Sequence, residues 1–343
     1  MKPTISAWGR TAPIDIDAVA DAIAAAQRPD GEIPWCPGER SDPWDHVEAA
    51  MGLTVGGRTA SARRAFDWLA DRQLPDGSFH AAYRDGEPIE WRRDPNMTAY
   101  LAVGVYHHFQ VTGDRRFLSR MWGPVSRAVE FALSLQAPGG EIQWSVNPDG
   151  RVDSMALLTG SSSIFMSLKC ALAIAAELGR SRPGWEAGRR RLAEAIADRP
   201  HLFNMTKSRY SMDWFYPILS GAVTGDAARR RLDRSWKKFV IRGQGVRCVS
   251  DQPWVTVAET AELCLTLSAV GNAPLAQIVF GWILDRRYED DGSYWCGFTF
   301  PDMVIWPEDR MTWTNGVVLM AADALYGLTP AATLFSHEVW AGR

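Results

Sequence analysis

A turn motif that recurs along the chain constrains its fold more than any other feature. Each copy ends a helix-like stretch, passes through a turn with a glycine and continues to an aromatic residue; the copies are residues 27–35, 68–79, 136–144 and 287–295, with Gly31, Gly77, Gly140 and Gly292 at corresponding places. Proline and Asp-Gly end helices and form turns. Recurrence of such a unit indicates a repeat architecture, in which each unit buries its apolar face against its neighbours.

The aromatic residues that follow these glycines provide a large apolar anchor for each turn. We expect Trp35, Phe79, Trp144 and Trp295 to occupy equivalent positions and to wedge between adjacent units. The abundance of tryptophan, 16 in 343 residues, fits that use and leaves others for a ligand.

Apolar residues at helical spacing predict six pairs of helices. The first helix of each pair is charged and amphipathic and is expected outside; the second is apolar nearly all round and is expected inside. The pairs are 14–27 with 45–55, 58–73 with 96–112, 123–136 with 155–179, 185–199 with 213–223, 226–240 with 256–270, and 273–287 with 312–327. The predicted fold class is all-α, an (α/α)6 toroid or six-hairpin barrel with polar, aromatic-rich rim loops. A closed ring cannot be cut without exposing its core, so residues 1–343 are predicted to form one domain.

Charge and cysteine usage exclude several classes of function. The net charge of −3 and the pI of about 6.1 disfavour nucleic acid as a partner, because phosphate binding needs a basic face. The odd number of cysteines, five, contains no CxxC pair and is typical of a reducing compartment. The start of the chain has no apolar core of the kind a signal peptide requires, and no uninterrupted apolar run of membrane-spanning length was found. We therefore expect a cytoplasmic protein without a membrane partner.

The long linkers between paired helices hold most of the residues that can perform chemistry. They interleave carboxylates with tryptophans, which suits an oligosaccharide or polysaccharide ligand because aromatic faces stack on sugar rings and carboxylates accept bonds from hydroxyls. The predicted substrate-binding residues are Trp44, His46, Trp91, Asp94, Asp213, Trp214, Trp254, Trp306, Glu308 and Trp313. The alternative is that the tryptophans anchor turns and the acids cap helices. For His46, a role in the core or in support of other site residues is the alternative to a catalytic role.

Two stretches of the rim match each other and supply the catalytic hypothesis. Each places Pro-Trp before an inner helix that carries two acids three residues apart, Asp45 with Glu48 and Glu259 with Glu262. Two carboxyl groups that face one another across a dry cleft are what glycoside hydrolysis requires. The prediction sets Asp45 against Glu259 or Glu262. The helix N-terminus favours an ionised base at Asp45, and a glutamate deeper in the apolar helix favours the protonated acid.

The alternatives to this catalytic pair lie in the same rim linkers. They are Asp94, Asp213 and Glu308.

Two resemblances extend this interpretation. The spacing of Trp68, Gln73, Gly77 and Phe79 resembles the QW repeat of triterpene cyclases and related toroids, and the whole chain resembles the six-hairpin glycosidase superfamily. The runs 32–36, 42–48 and 94–98 are similar to actinobacterial proteins labelled prenyltransferase-like, a group that includes an endo-α-mannosidase acting on intracellular methylmannose polysaccharide. The resemblance implies an inverting hydrolase of α-1,4-linked mannose chains that needs no metal and no cofactor.

Other functions remain open from the sequence. A terpene cyclase or prenyltransferase would share the QW-like turns, but Asp15 and Asp17 match the cyclase acid motif only in part, and histidine and cysteine show no zinc-ligand spacing. A sugar-binding toroid or an epimerase would use rim histidines, of which His46 and His80 qualify. Sugar identity, linkage, methylation, endo or exo action, stereochemical outcome and oligomeric state are left undetermined.

Overall fold

The computed structural model describes residues 11–341 and is rich in helices. In chain order the helices are α1 (Ile16–Ala26), α2 (Pro43–Val55), α3 (Thr59–Arg72), α4 (Pro95–Ala99), α5 (Leu101–Thr112), α6 (Arg115–Ser134), α7 (Leu158–Glu177), α8 (Pro183–Asp198), α9 (Ser211–Leu219), α10 (Gly225–Phe239), α11 (Val257–Ala269), α12 (Ala273–Gly281), α13 (Thr312–Tyr326) and α14 (His337–Trp340), with short 3-10 helices at Pro200–Leu202 and Met205–Arg209. The strands are β1 (Ala82–Arg84), β2 (Glu87–Glu90), β3 (Gln143–Val146), β4 (Val152–Ala156), β5 (Val240–Ile241), β6 (Gly245–Arg247), β7 (Trp254–Thr256) and β8 (Gly297–Thr299).

Six helices contact one another in a closed cycle. Helix α2 contacts α5, and the contacts continue from α5 to α7, α9, α11 and α13 before returning to α2. Nearly every residue of α2 and α11 is buried, whereas the charged helix α10 buries only a few of its side chains. The apolar helices therefore form the inside of this arrangement, and the amphipathic helices cover them.

The predicted pairing of helices differs from the observed packing by one step. Each outer helix packs most closely on the inner helix that precedes it, so that α3 lies on α2, α8 on α7, α10 on α9 and α12 on α11. The short connections explain the difference. An inner helix turns directly into the next outer helix, while the long rim linkers separate the helices that were paired from the sequence.

The recurring turn fastens each unit to the following outer helix. In the second copy, Gln73 Nε2 donates to Gly77 O at 2.9 Å and to Pro124 O in α6 at 2.8 Å. A side chain at Gly77 would place its Cβ 2.3 Å from Arg127 O, so only glycine permits this approach. The first and third copies repeat both amide bonds, from Gln27 to Gly31 and Ser61 and from Gln136 to Gly140 and Gly188.

The buried anchor of each turn is the second residue after the glycine. These residues are Ile33, Phe79, Ile142 and Tyr294, all nearly inaccessible. Of the four predicted anchors only Phe79 holds this position; Trp35, Trp144 and Trp295 follow one or two residues later and are half-buried. Distance from the glycine fixes which side chain points inward, so an isoleucine serves where an aromatic residue was expected.

The sheets correct the all-α expectation. Strand β1 pairs with β2 and β3 with β4 as antiparallel hairpins, and β5, β6, β7 and β8 form an antiparallel four-stranded sheet in that order. That sheet joins the linker before α11 to the linker before α13, where the backbones of two long segments satisfy each other's hydrogen bonds. Strand β7 ends at Thr256, directly before Val257 begins α11, so the sheet fixes the start of that helix.

Helix α7 is long and apolar enough to cross a membrane by length and composition. Most of that helix is buried against its neighbours, which include α5, α8 and α9. Its composition is that of a core helix.

Candidate functional site

Four carboxyl groups meet at the N-terminal ends of two inner helices. Asp45 and Glu48 lie in the first turns of α2, and Glu259 and Glu262 in the first turns of α11. Both helices pack against α13, and the Trp44 ring of α2 lies 5.6 Å from the ring of Tyr216, whose hydroxyl bonds Glu262 of α11, so the two pairs lie close together. The glutamates are 4–7% exposed, although acids with this little exposure are rare in proteins. We refer to these four residues as the carboxyl cluster.

The start of α2 is fixed by local sequence. Asp42 caps the helix, because its Oδ1 accepts bonds from Trp44 N at 2.9 Å and Asp45 N at 3.0 Å. Its Oδ2 accepts a bond from Trp35 Nε1 at 2.7 Å, and Pro43 supplies the first helical residue. This cap fixes where α2 begins and so places Asp45 in its first turn.

A glycine contact holds α2 closely against α13. A Cβ on Gly316 would lie 2.5 Å from Glu48 O, and one on Gly52 would lie 2.5 Å from the Gly316 Cα atom. The two backbones can approach this closely only because both positions lack side chains. This contact sets the depth of Glu48 inside the ring of inner helices.

Aromatic residues hold the two central glutamates. Trp44 Nε1 and the Tyr100 hydroxyl both donate to Glu48 Oε1, at 2.8 and 3.2 Å, and the Tyr216 hydroxyl donates to Glu262 Oε1 at 2.7 Å. The Trp44 ring lies 5.4 Å from the Tyr100 ring and 5.6 Å from the Tyr216 ring, centroid to centroid. These contacts orient the acids and link α2 to Tyr100, at the junction of α4 and α5, and α9 to α11.

Burial raises the pKa of three members of the carboxyl cluster. The pKa of Glu48 rises to about 8 because of its burial, which outweighs its hydrogen bonds from Trp44 and Tyr100. Burial and then the charges of Glu48 and Glu259 hold the pKa of Glu262 well above its usual value. Carboxyl groups coupled in this way titrate as a set, in which one member keeps its proton after another has ionised.

The pKa of Asp45 corrects the expectation that this residue is an ionised base. Burial, followed by the charges of Asp42 and Glu48 and a side-chain hydrogen bond with Asp42, raises its pKa well above the usual value. The helix N-terminus was expected to act in the opposite direction, but burial among other acids outweighs it. Asp45 is therefore better suited to hold a proton, with Asp42 as acceptor.

Glu259 Oε2, a buried atom of the carboxyl cluster, has no hydrogen-bond partner within residues 11–341. The indole nitrogen of Trp313, in the first turn of α13, is likewise unpartnered there. Because buried polar atoms are nearly always paired, atoms left free at a cluster of acids are candidates for contact with a ligand.

The rim sheet carries an exposed aromatic pair next to α11. Trp306 is 58% exposed, and its carbonyl accepts a bond from Trp254 Nε1 at 2.7 Å. The two rings are 5.2 Å apart in an edge-to-face arrangement. Trp91, on the β1–β2 side of the rim, is also 57% exposed and lies 4.9 Å from the ring of His80. Flat, accessible indoles of this kind can stack on sugar rings.

Several residues that were predicted to bind substrate have structural roles instead. His46 is inaccessible; its Nδ1 accepts a bond from Ile33 N at 3.1 Å, and its Nε2 lies 2.9 Å from Ala65 O. Burial lowers its pKa to about 4, so the imidazole is neutral. Thr98 Oγ1 and Asn315 Oδ1 accept the equivalent bonds from Phe79 N and Tyr294 N. His46 therefore belongs to the repeated fastening of the turns and cannot touch substrate.

Trp214 and Asp213 are likewise used by the fold. Trp214 is 4% exposed, donates to Arg231 O at 2.9 Å and stacks on Phe239. Asp213 accepts bonds from the Thr159 hydroxyl at 2.6 Å and its backbone nitrogen at 3.2 Å. The substrate-binding interpretation of Trp214 is wrong because its ring is enclosed, and Asp213 bridges α9 to α7.

Asp94 and Glu308 lie apart from the bonds that build the carboxyl cluster. Asp94 caps α4 and pairs with Arg92 at 3.2 Å, which is the helix-cap alternative considered for the rim acids. Glu308 is exposed, and its backbone carbonyl accepts a bond from the Tyr288 hydroxyl at 2.8 Å.

Sequence reasoning did not include Glu48, Tyr100 and Tyr216 among the site residues. Glu48 carried a signal, because it lies three residues after Asp45 on an otherwise apolar helix. Tyr100 and Tyr216 carried none, since two distant helices must pack before their hydroxyls reach the acids.

Comparison with known proteins shows a close relative. The chain is 49% identical over 316 residues to the MMP endo-(1,4)-3-O-methyl-alpha-D-mannosidase of Mycolicibacterium hassiacum, a match that covers 92% of this chain and 87% of the relative. No protein-family model matches the chain.

Solved structures with the same fold are more distant in sequence. An uncharacterized conserved protein from Thermus thermophilus superposes with a TM-score of 0.72 at 13% identity, over 89% of this chain and 99% of that one. The GH63 mannosylglycerate hydrolase of the same organism gives a TM-score of 0.70 at 12% identity, with the same coverage. A wild-type glycosidase gives 0.67 at 16% identity, over 92% of this chain and 98% of that one. These likenesses establish a fold that glycosidases use.

Proposed function

The chain belongs to the family of the MMP endo-(1,4)-3-O-methyl-alpha-D-mannosidase, and from this premise we propose that it hydrolyses internal α-1,4 linkages of 3-O-methylmannose oligosaccharides or polysaccharides. It is a glycoside hydrolase, and the family supports endo action on α-mannosides.

The observation that carries the mechanism is that α2 and α11 bring Asp45 and Glu262 to one enclosed place. The Trp44 ring, next to Asp45 in the chain, lies 5.6 Å from the ring of Tyr216, whose hydroxyl donates to Glu262 Oε1 at 2.7 Å. The charge of Glu262 is also among the causes that raise the pKa of Asp45. We therefore choose Glu262 as the partner of Asp45. An acid contributed by each of two inner helices, in a buried and aromatic-walled place, has the chemical parts of a glycosidase site.

In this proposal Asp45 is the general acid and Glu262 the general base. Asp45 transfers its proton to the glycosidic oxygen as the bond to the anomeric carbon breaks. Glu262, oriented by the Tyr216 hydroxyl, removes a proton from a water that attacks the opposite face of the sugar, which gives inversion. The reaction then consumes one water for each bond cleaved, and inversion requires carboxyl groups separated by roughly 6.5–9.5 Å.

Substrate binding is assigned to the exposed indoles and to the unpaired atoms of the site. Trp254 and Trp306 form the platform nearest α11, and their apolar faces suit the methyl ether groups of a 3-O-methylated sugar. Trp313 Nε1 and Glu259 Oε2 are free to bond with sugar hydroxyls. Trp44 supports Glu48, and Trp91 provides a further platform across the rim.

The architecture completes the proposal. We assign the whole chain to one (α/α)6 toroid, supported by the closed cycle of inner helices and by the likeness to glycosidase structures. We further assign the protein to the cytoplasm, on the cysteine usage seen in the sequence.

Product analysis tests the proposed substrate. The purified protein is incubated with α- and β-linked manno- and gluco-oligosaccharides, each with and without 3-O-methyl groups, and the products are read by mass spectrometry. Shorter oligosaccharides from the methylated α-1,4-mannosides, and little from the unmethylated chains, are expected. Release of monosaccharide alone would contradict endo action, and no turnover on any glycan would contradict the function.

A further inference from the structure

A cavity lies away from the carboxyl cluster. Its volume is about 530 Å³, and it is bounded by the turn after α9, the end of α11 and the C-terminal segment around α14. Ala269, on its wall, ends α11, whereas Glu259 is in the first turn of that helix. Ten residues of helix separate them by about 15 Å along the axis. The cavity therefore does not belong to the proposed hydrolytic site.

Lys169 of α7 is a nearly buried charged residue in the wall of this cavity. The residue is only 6% exposed, and its Nζ atom donates to Ser220 O at 2.9 Å. The same atom lies 4.6 Å from the centroid of the Trp340 ring and 5.7 Å from that of Phe165. A Cβ on Gly221 would stand 3.0 Å from Nζ, so the absence of a side chain there leaves room for the ammonium group.

Within residues 11–341, Lys169 has no carboxylate at ion-pair distance. The other cations of the wall are already paired, Arg189 with Glu186 at 2.6 Å and Arg229 with Asp226 at 3.2 Å. A buried ammonium without a counter-ion is costly. Burial lowers the pKa of Lys169 to about 8, so most of it still carries a proton at neutral pH.

A second hollow, of about 400 Å³, adjoins the cavity and shares Lys169, Arg189 and Trp340 with it. Together they offer more room than an inorganic ion needs and fall in the size range of small-molecule sites. The acidic side chains that line the two hollows are Glu338, which is exposed, Glu186, which pairs with Arg189, and Glu177, which pairs with Arg115. Among the described residues, none of these carboxylates forms an ion pair with Lys169.

We propose that this cavity binds a small organic oxyanion, a carboxylate or a phosphate, whose charged end pairs with Lys169 and whose apolar side faces Trp340 and Phe165. One donor of the ammonium group caps the end of α9 through Ser220 O. The remaining two donors serve the ligand. The site is independent of the hydrolytic reaction.

Calorimetric titration of the full chain tests this proposal. The probes are gluconate for the carboxylate class, glucose 6-phosphate for the phosphate class, inorganic phosphate for the charge alone, and neutral glucose. Saturable binding of gluconate or glucose 6-phosphate is expected, with glucose at least about tenfold weaker, because a hydrogen bond to a charged group contributes that much affinity. The stronger of the two charged probes identifies the class.

The variants separate ligand binding from a purely structural role for Lys169. Lys169→Met should lower the affinity for the charged probe by roughly 10- to 100-fold. Lys169→Arg, which keeps the charge, should retain most of that affinity. Lys237→Met, an exposed lysine of α10, is the matched control and should bind as the wild type does. Circular dichroism verifies that each variant is folded.

Two results would overturn the proposal. One is no saturable binding of any charged probe below about 10 mM. The other is unchanged affinity in a folded Lys169→Met protein.

Discussion

The hydroxyl of Tyr216 donates a hydrogen bond of 2.7 Å to Glu262 Oε1, and both side chains are almost fully buried. This bond joins α9 to α11 and lowers the pKa of Glu262, while burial, Glu48 and Glu259 raise it. Of the groups that shift the pKa of Glu262, Tyr216 is therefore the one that favours the ionised carboxylate. That relationship makes the pH dependence of turnover a direct report on Glu262.

Tyr216→Phe should move the acidic limb of the profile of kcat/KM to higher pH. Without the donated bond, the pKa of Glu262 rises further, and the base ionises only at a higher pH. A loss of roughly 10- to 100-fold in kcat/KM at neutral pH is expected, since hydrogen bonds to charged groups contribute about 1.5–3 kcal/mol. Tyr210→Phe, at the edge of α9, is the control. A profile that keeps its position would show that Tyr216 does not tune the base.

Trp306→Ala should raise KM and leave kcat nearly unchanged. The ring is 58% exposed, so its removal costs the fold little, and the loss is one of uniform substrate binding. An increase in KM of about tenfold is expected for methylated oligosaccharides, measured with thermal unfolding as the check on stability. The idea of a sugar platform fails if KM for the methylated and unmethylated substrates stays at the wild-type value.

His46→Ala should destabilise the protein and spare the chemistry of the molecules that fold. It leaves Ile33 N and Ala65 O without their partner, at about 1–3 kcal/mol each. Thr98→Ala, which removes the equivalent bond in the next turn, should act in the same direction. Denaturant unfolding and turnover per folded molecule measure both effects. If His46→Ala were stable but had lost its turnover, His46 would have a role in the active site, and its assignment to the fold would be contradicted.

Asp323→Asn should make the free energy of unfolding depend less on pH. Burial raises the pKa of Asp323 to about 6, despite its bonds from Thr329, and the value expected in the unfolded chain is 3.8. A raised folded pKa favours folding below pH 3.8 and loses that contribution as pH rises through about 6. The wild-type free energy of unfolding, relative to the variant, should fall by about 3 kcal/mol from well below pH 3.8 to well above pH 6. Equal pH dependence in both proteins would show that Asp323 titrates normally.

Much of the helical framework could be predicted from the sequence, because the information is local. Apolar spacing placed the helices, and the glycines of the turns marked the ends of units. Which helices pack in pairs was harder to predict, because the sequence does not show whether a helix packs most closely on the helix before it or on the helix after it. The anchors were misassigned for a related reason: tryptophan is the larger residue, but distance from the glycine decides which side chain is buried.

The candidate site was predicted only where residues close in sequence share a helix face. Asp45 and Glu262 stood out because acids interrupt apolar helices. The tyrosines that hold Glu48 and Glu262 come from the junction of α4 and α5 and from α9, and no local pattern connects them to α2 or α11. The raised pKa of Asp45 was also inaccessible, because it depends on burial among other acids rather than on the position of Asp45 at a helix end.

The roles of Asp45 and Glu262 are tested most directly by rescue of their alanine variants. On 3-O-methylmannose oligosaccharides, Asp45→Ala and Glu262→Ala should each lose turnover by about 10³-fold or more, while Asp149→Asn, on an exposed hairpin, should match the wild type. With an aryl glycoside whose leaving group needs no protonation, Asp45→Ala should recover, and added azide should restore Glu262→Ala by replacing the activated water. Near-native turnover of either alanine variant on the oligosaccharide, or rescue of each by the other's treatment, would contradict the assignment of Asp45 as acid and Glu262 as base.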